Sequence, residues 1–330
     1  SADKSDLCHV MSSSRENAVL CWLVAPRWSD GLEYTPKPRP RANQGIDLWD
    51  KRSYNGQVMN ILPRRLYKGY VFDLDGTVYL GDALLPGARR TIETLRQAGR
   101  RMVFVSNKPT EPRQVYAAKL TRLGLPTAVD EVINSSYVTV NYLLARAPGA
   151  RVFPIGEQPL LDELTAAGFV LSETPGEIEY VIASFDRTFV YRKLQIAFDA
   201  IRAGAHFIAT NADPYCPVPG GGEPDAACII AAIEACTGHQ VEEVVGKPSP
   251  IMARTALEVL GVAPEESIMV GDRVETDVRM GKGAGMATAL PLTGATTLER
   301  LRHSEIQPDY VLERLDQLLP TREIDRTVVQ

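Results

Sequence analysis

The stretch YVFDLDGTVYLG, residues 70–81, decides the reading of the chain. An apolar run of the kind that is buried ends in two aspartates, Asp73 and Asp75, one residue apart. Carboxylates that close repel each other, and each resists leaving water. The pattern predicts a positive group between them, or chemistry at one of them. Taken alone, the pair also suits a strand end and a turn, since DG is a common turn pair.

Working outward, three more apolar runs end in polar residues: RMVFVSN (101–107), VEEVVGK (241–247) and SIMVGD (267–272). Each is followed by a helical pattern. PGARRTIETLRQAG (86–99) follows the first aspartate run, with Ile92 and Leu95 on one face, and EPRQVYAAKLTRLG (111–124) follows the second. PSPIMARTALEVLG (248–261) and ETDVRMGKGAG (275–285) follow the third and fourth. Short apolar runs without alternation suit strands buried on both faces, so the order predicts a parallel sheet covered by helices. Such sheets bind ligands at the carboxyl ends of their strands. With the four runs as neighbours, Asp73, Asp75, Ser106, Asn107, Lys247 and Asp272 gather at one edge.

Between residues 150 and 235 a second group of runs appears, including ARVFPIG (150–156), EYVIASFD (179–186) and AHFIATNAD (205–213), alternating with helical stretches. It predicts a smaller α/β domain inserted in the first. The expected organisation is a Rossmann-like three-layer core over 66–148 and 236–322, a cap over 149–235 and a tail over 323–330. Residues 1–65 differ: they hold all three tryptophans and the proline-basic run TPKPRPR (35–41), with no sustained period. They read as an extension, either partly disordered and dispensable or lying against the main body as a clasp.

At 330 residues the chain exceeds one ordinary domain, and its net charge of -5 argues against binding nucleic acid through a broad basic surface. Five cysteines without CxxC spacing argue against a disulfide framework or a structural zinc site and for a reducing, cytoplasmic setting. No apolar stretch approaches the roughly 18–20 residues that span a bilayer. GKGAG (281–285) trails a helix, so it reads as a helix-ending turn and not as a nucleotide loop.

Acids at a strand edge suit a hard cation, and Mg2+ is held by one or two carboxylates with waters and substrate phosphate. Asp73 and Asp272 can supply those carboxylates, and Asp277 can orient ligands or bound water behind them. Lys247 adds positive charge where a phosphate dianion would sit, and Ser106 can donate to a phosphoryl oxygen. In such a field a carboxylate can attack phosphorus, which makes Asp73 the nucleophile. Asp75, on the same side of an extended segment, can serve as acid and then as base.

The segments DLDGT (73–77), VSN (105–107), VVGKPSP (244–250) and GDRVETD (271–277), in this order, resemble the four motifs of the haloacid-dehalogenase (HAD) superfamily over about residues 66–320. The insert resembles the C2 cap of the NagD-like, or p-nitrophenylphosphatase-like, branch, as do SFDRTFVYRKL (184–194) and TNADPYCP (210–217). IGEQPLLDELTAAG (155–168) and PLTG (291–294) are loosely similar to sugar phosphatases of arabinose operons. The resemblance implies a Mg2+-dependent phosphatase of small phosphorylated metabolites, sugar phosphates foremost, with Asp73 as nucleophile and Asp75 as acid/base. It implies metal ligation by Asp73, the main-chain carbonyl of Asp75 and Asp272, and phosphate contacts from Ser106, Asn107 and Lys247. It also implies a homodimer formed through the cap. Lys108 departs from the pattern and is carried as a candidate substrate contact. Asn211 and Asp213, in TNAD, either line the crevice between cap and core as substrate contacts or only end a strand. Glycerol phosphate, phosphoglycolate and pyridoxal phosphate are the alternative substrates. A phosphoaspartate signalling module and a catalytically vestigial binding protein are the alternatives of another class.

Overall fold

The structure, a computed structural model, describes residues 53–54, 57–58, 62–218 and 221–320. The chain divides into Ser1–Gly56, almost wholly outside the described residues, and Gln57–Gln330, which carries everything below. The expectations for the extension and for the tail therefore lie outside the described residues.

Two parallel sheets build this unit. In chain order their strands are β1 (Gly69–Asp73), β2 (Arg101–Ser106), β3 (Val132–Asn134), β4 (Arg151–Ile155), β5 (Val170–Leu171), β6 (Tyr180–Ala183), β7 (His206–Ala209), β8 (Glu243–Val244), β9 (Ser267–Val270), β10 (Ala287–Pro291) and β11 (Tyr310–Leu312). The core sheet runs β11-β10-β9-β1-β2-β3 and the cap sheet β5-β4-β6-β7-β8. Every pairing within these two sheets is parallel.

The apolar run that opened the argument becomes the central strand β1, buried along its whole length. Side chains alternate across a strand, so it feeds two layers. Tyr70 and Phe72 join Phe104 and the helix Ala88–Gln97 on one face. Val71 joins Val103, Val105 and the helix Pro250–Leu260 on the other. Tyr70 stacks on Phe72 at 5.8 Å and Phe72 on Phe104 at 6.0 Å. Burying one such ring is worth about 2–3 kcal/mol. The helix Pro250–Leu260 starts where KPSP predicts: the Ser249 hydroxyl accepts from Ile251 N, Pro250 occupies the first turn, and Gly261 ends it at φ +61°.

The cap repeats the layered plan. Phe153, Val181 and Phe207 meet Ile196, Ile229 and Ile233 on one face. Val152, Ile182 and Ile208 meet Leu160, Leu164, Val140 and Leu143 on the other. The helix Ser135–Leu144 serves both domains, with Val138 in the core and Val140 and Leu143 against the cap.

One expectation is corrected. The run leading to Lys247 is not a core strand beside β1. Its strand β8 pairs with β7 in the cap sheet, Ile208 opposite Glu243 and Ala209 opposite Val244. Glu242 explains the choice: its carboxylate faces the His206 ring at 2.8 Å and accepts from Phe207 N at 3.2 Å, anchoring the run to β7. Pairing with the cap thus extends to Val244, beyond the expected return at residue 236. No helix among the described residues is long and apolar enough to cross a membrane.

Candidate active site

Strand register brings the first residues together. Phe72 lies opposite Val270 and Asp73 opposite Val105, so Asp73, Ser106 and Asp272 end three adjacent strands at one edge. Carboxylate oxygens of Asp73, Asp272 and Asp277 all lie within 4.8 Å of one another, and all three residues are buried. Lys247 arrives from the cap side. Its Nζ donates to Asp73 Oδ1 at 2.5 Å and to Asp277 Oδ1 at 2.7 Å.

Glycines make room for this crowd. A Cβ on Gly271 would stand 2.3 Å from Asp277 Cγ, and one on Gly294 would stand 2.0 Å from Asp272 Oδ2. Gly76, at φ +87°, turns the chain after Asp75, and a Cβ there would stand 2.6 Å from the same Asp272 oxygen. Asp277 is held by Arg273 N, which donates to Oδ2 at 3.1 Å. Asp272 is held by Ala295 N, which donates to its Oδ2, and by Thr296 N, which donates to its main-chain carbonyl. The Thr293 hydroxyl donates to Gly76 O at 2.8 Å and closes the loop over the site.

The cluster has too little positive charge of its own. Burial pushes the Asp73 carboxyl well above its ordinary range, and repulsion from Asp277 and Asp272 adds to this against the pull of Lys247. Burial and Asp277 push Asp272 up to about 6. Burial alone would lower Lys247, but Asp277 and Asp73 more than offset it and hold the ammonium charged. Three buried carboxylates facing one lysine fit a divalent cation, whose charge removes the repulsion that burial amplifies. Asp75 stays outside the carboxylate cluster. It is exposed, on the turn where it bridges to Tyr79. Its charge adds to burial in pushing up the Tyr79 and Tyr116 hydroxyls.

The remaining candidates sit where core meets cap. The Ser106 hydroxyl accepts from Lys108 N at 3.1 Å. The Lys108 charge favours the ionised forms of Glu157, Cys216 and Asp225 of the cap, against burial. Asn107 donates to Asp213 Oδ2 at 2.9 Å and to Lys247 O at 3.0 Å, so both protons of its amide are committed to protein. Asn211 donates to Asp213 at 3.2 Å and to Asp225 at 3.1 Å. Asn211 and Asp213 therefore both follow a strand and line the junction of the domains. Sequence reasoning missed Arg273, whose guanidinium lies 3.8 Å from Asp213, and the loop 292–296 over Asp272. The signal available was the glycine of PLTG, whose missing side chain leaves space for a carboxylate.

This arrangement can be set against known proteins. The family described as Haloacid dehalogenase-like hydrolase matches residues 70–170, and a HAD-hydrolase-like family matches residues 244–318. The chain is similar to sugar-phosphatase AraL of Bacillus subtilis, 40% identical over 247 residues that cover 75% of this chain and 90% of the relative. It resembles the solved 4-nitrophenylphosphatase of Thermotoga maritima, with a TM-score of 0.73, 39% identity, and coverage of 76% of this chain and 96% of that one. NagD from E. coli K-12 superposes with a TM-score of 0.70 at 28% identity, covering 76% of this chain and 98% of its own.

Proposed function

The chain belongs to the haloacid dehalogenase-like hydrolases, in their NagD-like branch, and is a phosphoric monoester hydrolase; from that premise we propose that it cleaves sugar phosphates through an aspartyl-phosphate on Asp73, with Mg2+ as its metal. The observation that carries the reading is the buried set Asp73, Asp272 and Asp277 with Lys247 among them. Asp73 and Asp272 would hold the metal by their carboxylates and Asp75 by its main-chain carbonyl, with Asp277 steadying the set and Lys247. When bound there, Mg2+ supplies the charge neutralisation that lets a carboxylate meet a phosphate dianion.

The chain's own residues then divide the work. Asp73 attacks phosphorus in line, and the bond from phosphorus to the leaving oxygen breaks. Asp75, exposed at the crevice, gives its proton to that oxygen. It next takes a proton from the water that attacks the aspartyl-phosphate, which frees Asp73 and inorganic phosphate. Lys247, the Ser106 hydroxyl and the main chain of Asn107 hold the phosphoryl oxygens. Lys108 borders the space of the leaving group, while Asn211, fully buried with both amide protons given to Asp213 and Asp225, supports the cap wall behind it. The names of the curated relatives, AraL and the acid sugar phosphatase of Staphylococcus aureus, support sugar phosphates as the substrate class. A cytoplasmic setting is supported by the free thiols of Cys228 and Cys236. A homodimer through the cap is supported by the half-exposed apolar edge strand β5.

The test is a panel of sugar phosphates with glycerol phosphate, phosphoglycolate, pyridoxal phosphate and p-nitrophenyl phosphate, with Mg2+ or with EDTA. The Asp73→Asn protein is the control. Many turnovers per chain are expected, best on a sugar phosphate, with loss in EDTA and a drop of at least about 10⁴-fold in Asp73→Asn. Unchanged turnover in EDTA or in Asp73→Asn would overturn the reading. One phosphate trapped per chain would mark a phosphoacceptor module instead.

A further inference from the structure

Lys247 is placed unlike the other charged groups of the site. Asp73 and Asp272 are carried by core strands, and Asp277 by the helical turn that follows β9. Lys247 follows an edge strand of the cap and has no core ladder to hold it. Its main chain is gripped instead by one side chain. Asn107 Oδ1 accepts from Lys247 N at 2.7 Å, and Asn107 Nδ2 donates to Lys247 O at 3.0 Å. Two bonds from one planar amide fix both the position and the tilt of the residue. The approach is close because Gly246 has no side chain: a Cβ there would stand 2.7 Å from Asn107 Oδ1 and 2.5 Å from Thr210 O.

Asn107 is itself held. Its carbonyl accepts from the Ser135 hydroxyl at 2.6 Å, tying it to the helix shared by core and cap. Its remaining amide proton goes to Asp213 Oδ2 of the cap, and Asp213 has the Arg273 guanidinium 3.8 Å from its other oxygen. A continuous polar path therefore runs Arg273–Asp213–Asn107–Lys247, from the residue beside Asp272, through the cap, and back to Asp73. Asn107 has no amide proton left for a substrate.

We propose that Asn107 and Asp213, with Arg273 behind them, are positioning residues that align Lys247 between Asp73 and Asp277. The proposal rests on the role given to Lys247 above. Asn107→Asp tests it because the side chain keeps its shape while an oxygen replaces the amide nitrogen. That oxygen faces the Asp213 carboxylate and the Lys247 carbonyl, so the grip turns repulsive. Turnover of p-nitrophenyl phosphate is expected to fall about 10²-fold, the loss typical of a reacting group displaced by about 1 Å. Amide hydrogen exchange at residues 244–249 is expected to speed up. The double variant Asn107→Asp/Asp213→Asn restores a donor opposite an acceptor and is expected to recover about tenfold of turnover and to slow that exchange. A residue that touched phosphate directly would gain nothing from a change in the cap. Asp213→Ala, which spares both bonds to Lys247, gives a milder loss of about fivefold and keeps the idea testable should the aspartate variant fold poorly. Turnover of Asn107→Asp within twofold of the unmodified protein would overturn the proposal, as would a double variant no better than the single. So would Asp213→Ala indistinguishable from the unmodified protein in turnover and exchange. An unmodified protein that turns over no phosphate ester would sink the functional reading instead, and the exchange measurement would still report the grip.

Discussion

The two parallel sheets end in polar edges built on one plan, and they differ in what becomes of the charge. At the cap's edge Asp186 and Glu157 have their partners within the protein. Asp186 takes Lys193 on one oxygen, and on the other the main-chain N–H and hydroxyl of Thr188 at 2.8 and 2.6 Å. Glu157 takes two bonds from the Arg187 guanidinium, each 2.7 Å, and one from its main-chain N–H at 3.2 Å, which hold its carboxyl below its ordinary range. At the core's edge, burial and mutual repulsion push Asp73 and Asp272 the other way. The fold supplies an edge, and chemistry resides where the protein leaves charge unbalanced for a cation and an anion to complete. These acids of the cap's edge are balanced within the protein, and the edge lends Lys247 to the core's cluster.

The largest effect should come from adding one methyl group to each edge. A Cβ at Gly294 would stand 2.0 Å from Asp272 Oδ2, so Gly294→Ala must displace a carboxylate that has little room to move. Its counterpart, Gly156→Ala after β4, meets Leu160 Cδ2 at 2.8 Å, the end of a side chain that can turn aside. We expect Gly294→Ala to lower turnover about 10²-fold and to raise the Mg2+ concentration giving half-maximal rate. Gly156→Ala should cost about 1 kcal/mol of stability with turnover unchanged. Mg2+ titrations of the rate, with urea melts, separate the two. Equal losses of activity at the two sites would remove the contrast between the edges.

How much of this was legible before the structure follows from the same contrast. The unbroken apolar runs announced the strands, and the polar residues ending them announced Asp73, Ser106 and Asp272, because burial and position are local properties of a strand. Asp277 was legible as a helical turn beyond Asp272. The route of Lys247 into the site was not, since VEEVVGK reads equally well as a strand of either sheet, and the choice was made by Glu242 gripping β7 far away in sequence. Nor did anything in VSN reveal that the Asn107 amide spends itself on Lys247 and Asp213, residues more than 100 positions away. The loop over Asp272 was seen only as PLTG, a likeness without a mechanism, because what it gives Asp272 is two main-chain N–H groups and an absent side chain. Long-range hydrogen bonds and missing atoms leave no period in a sequence.

A smaller effect should come from breaking the balance of the cap's edge. The Asp186 side chain is fully buried, while Lys193 is 26% exposed. Asp186→Ala strands the Thr188 N–H and its hydroxyl, but lets the lysine turn to water. The cost is therefore about 2–3 kcal/mol, below that of a pair buried on both sides. Turnover of p-nitrophenyl phosphate should stay within twofold, since neither Asp186 nor its partners Lys193 and Thr188 are assigned to the chemistry. Thermal melts beside initial rates measure both. A hundredfold loss of rate in a folded Asp186→Ala protein would mean that the balanced edge takes part in the reaction after all.

The smallest effect concerns a cap acid that behaves like those of the core. Asp225 is buried, and burial pushes its carboxyl up to about 6, against bonds from Ala226 N and Asn211 that favour its charge. In the unfolded chain it ionises near 3.8. Between about pH 4 and pH 6 the folded protein thus keeps a proton that the unfolded chain has lost. By linkage, the contribution of this group to stability falls as pH rises through that window and is constant on either side. Asp225→Asn lacks the titration and keeps an acceptor for Ala226 N. Its stability relative to the unmodified protein should therefore grow with pH, by about 1–2 kcal/mol between pH 4 and pH 7. That figure sits below the full linkage value because the unfolded carboxyl has already begun to ionise at pH 4. Urea melts of both proteins across this range measure the difference, in which all other titrations cancel. A difference that does not change with pH would show Asp225 to be as well balanced as Asp186 and Glu157, and would leave unbalanced charge to the core's edge alone.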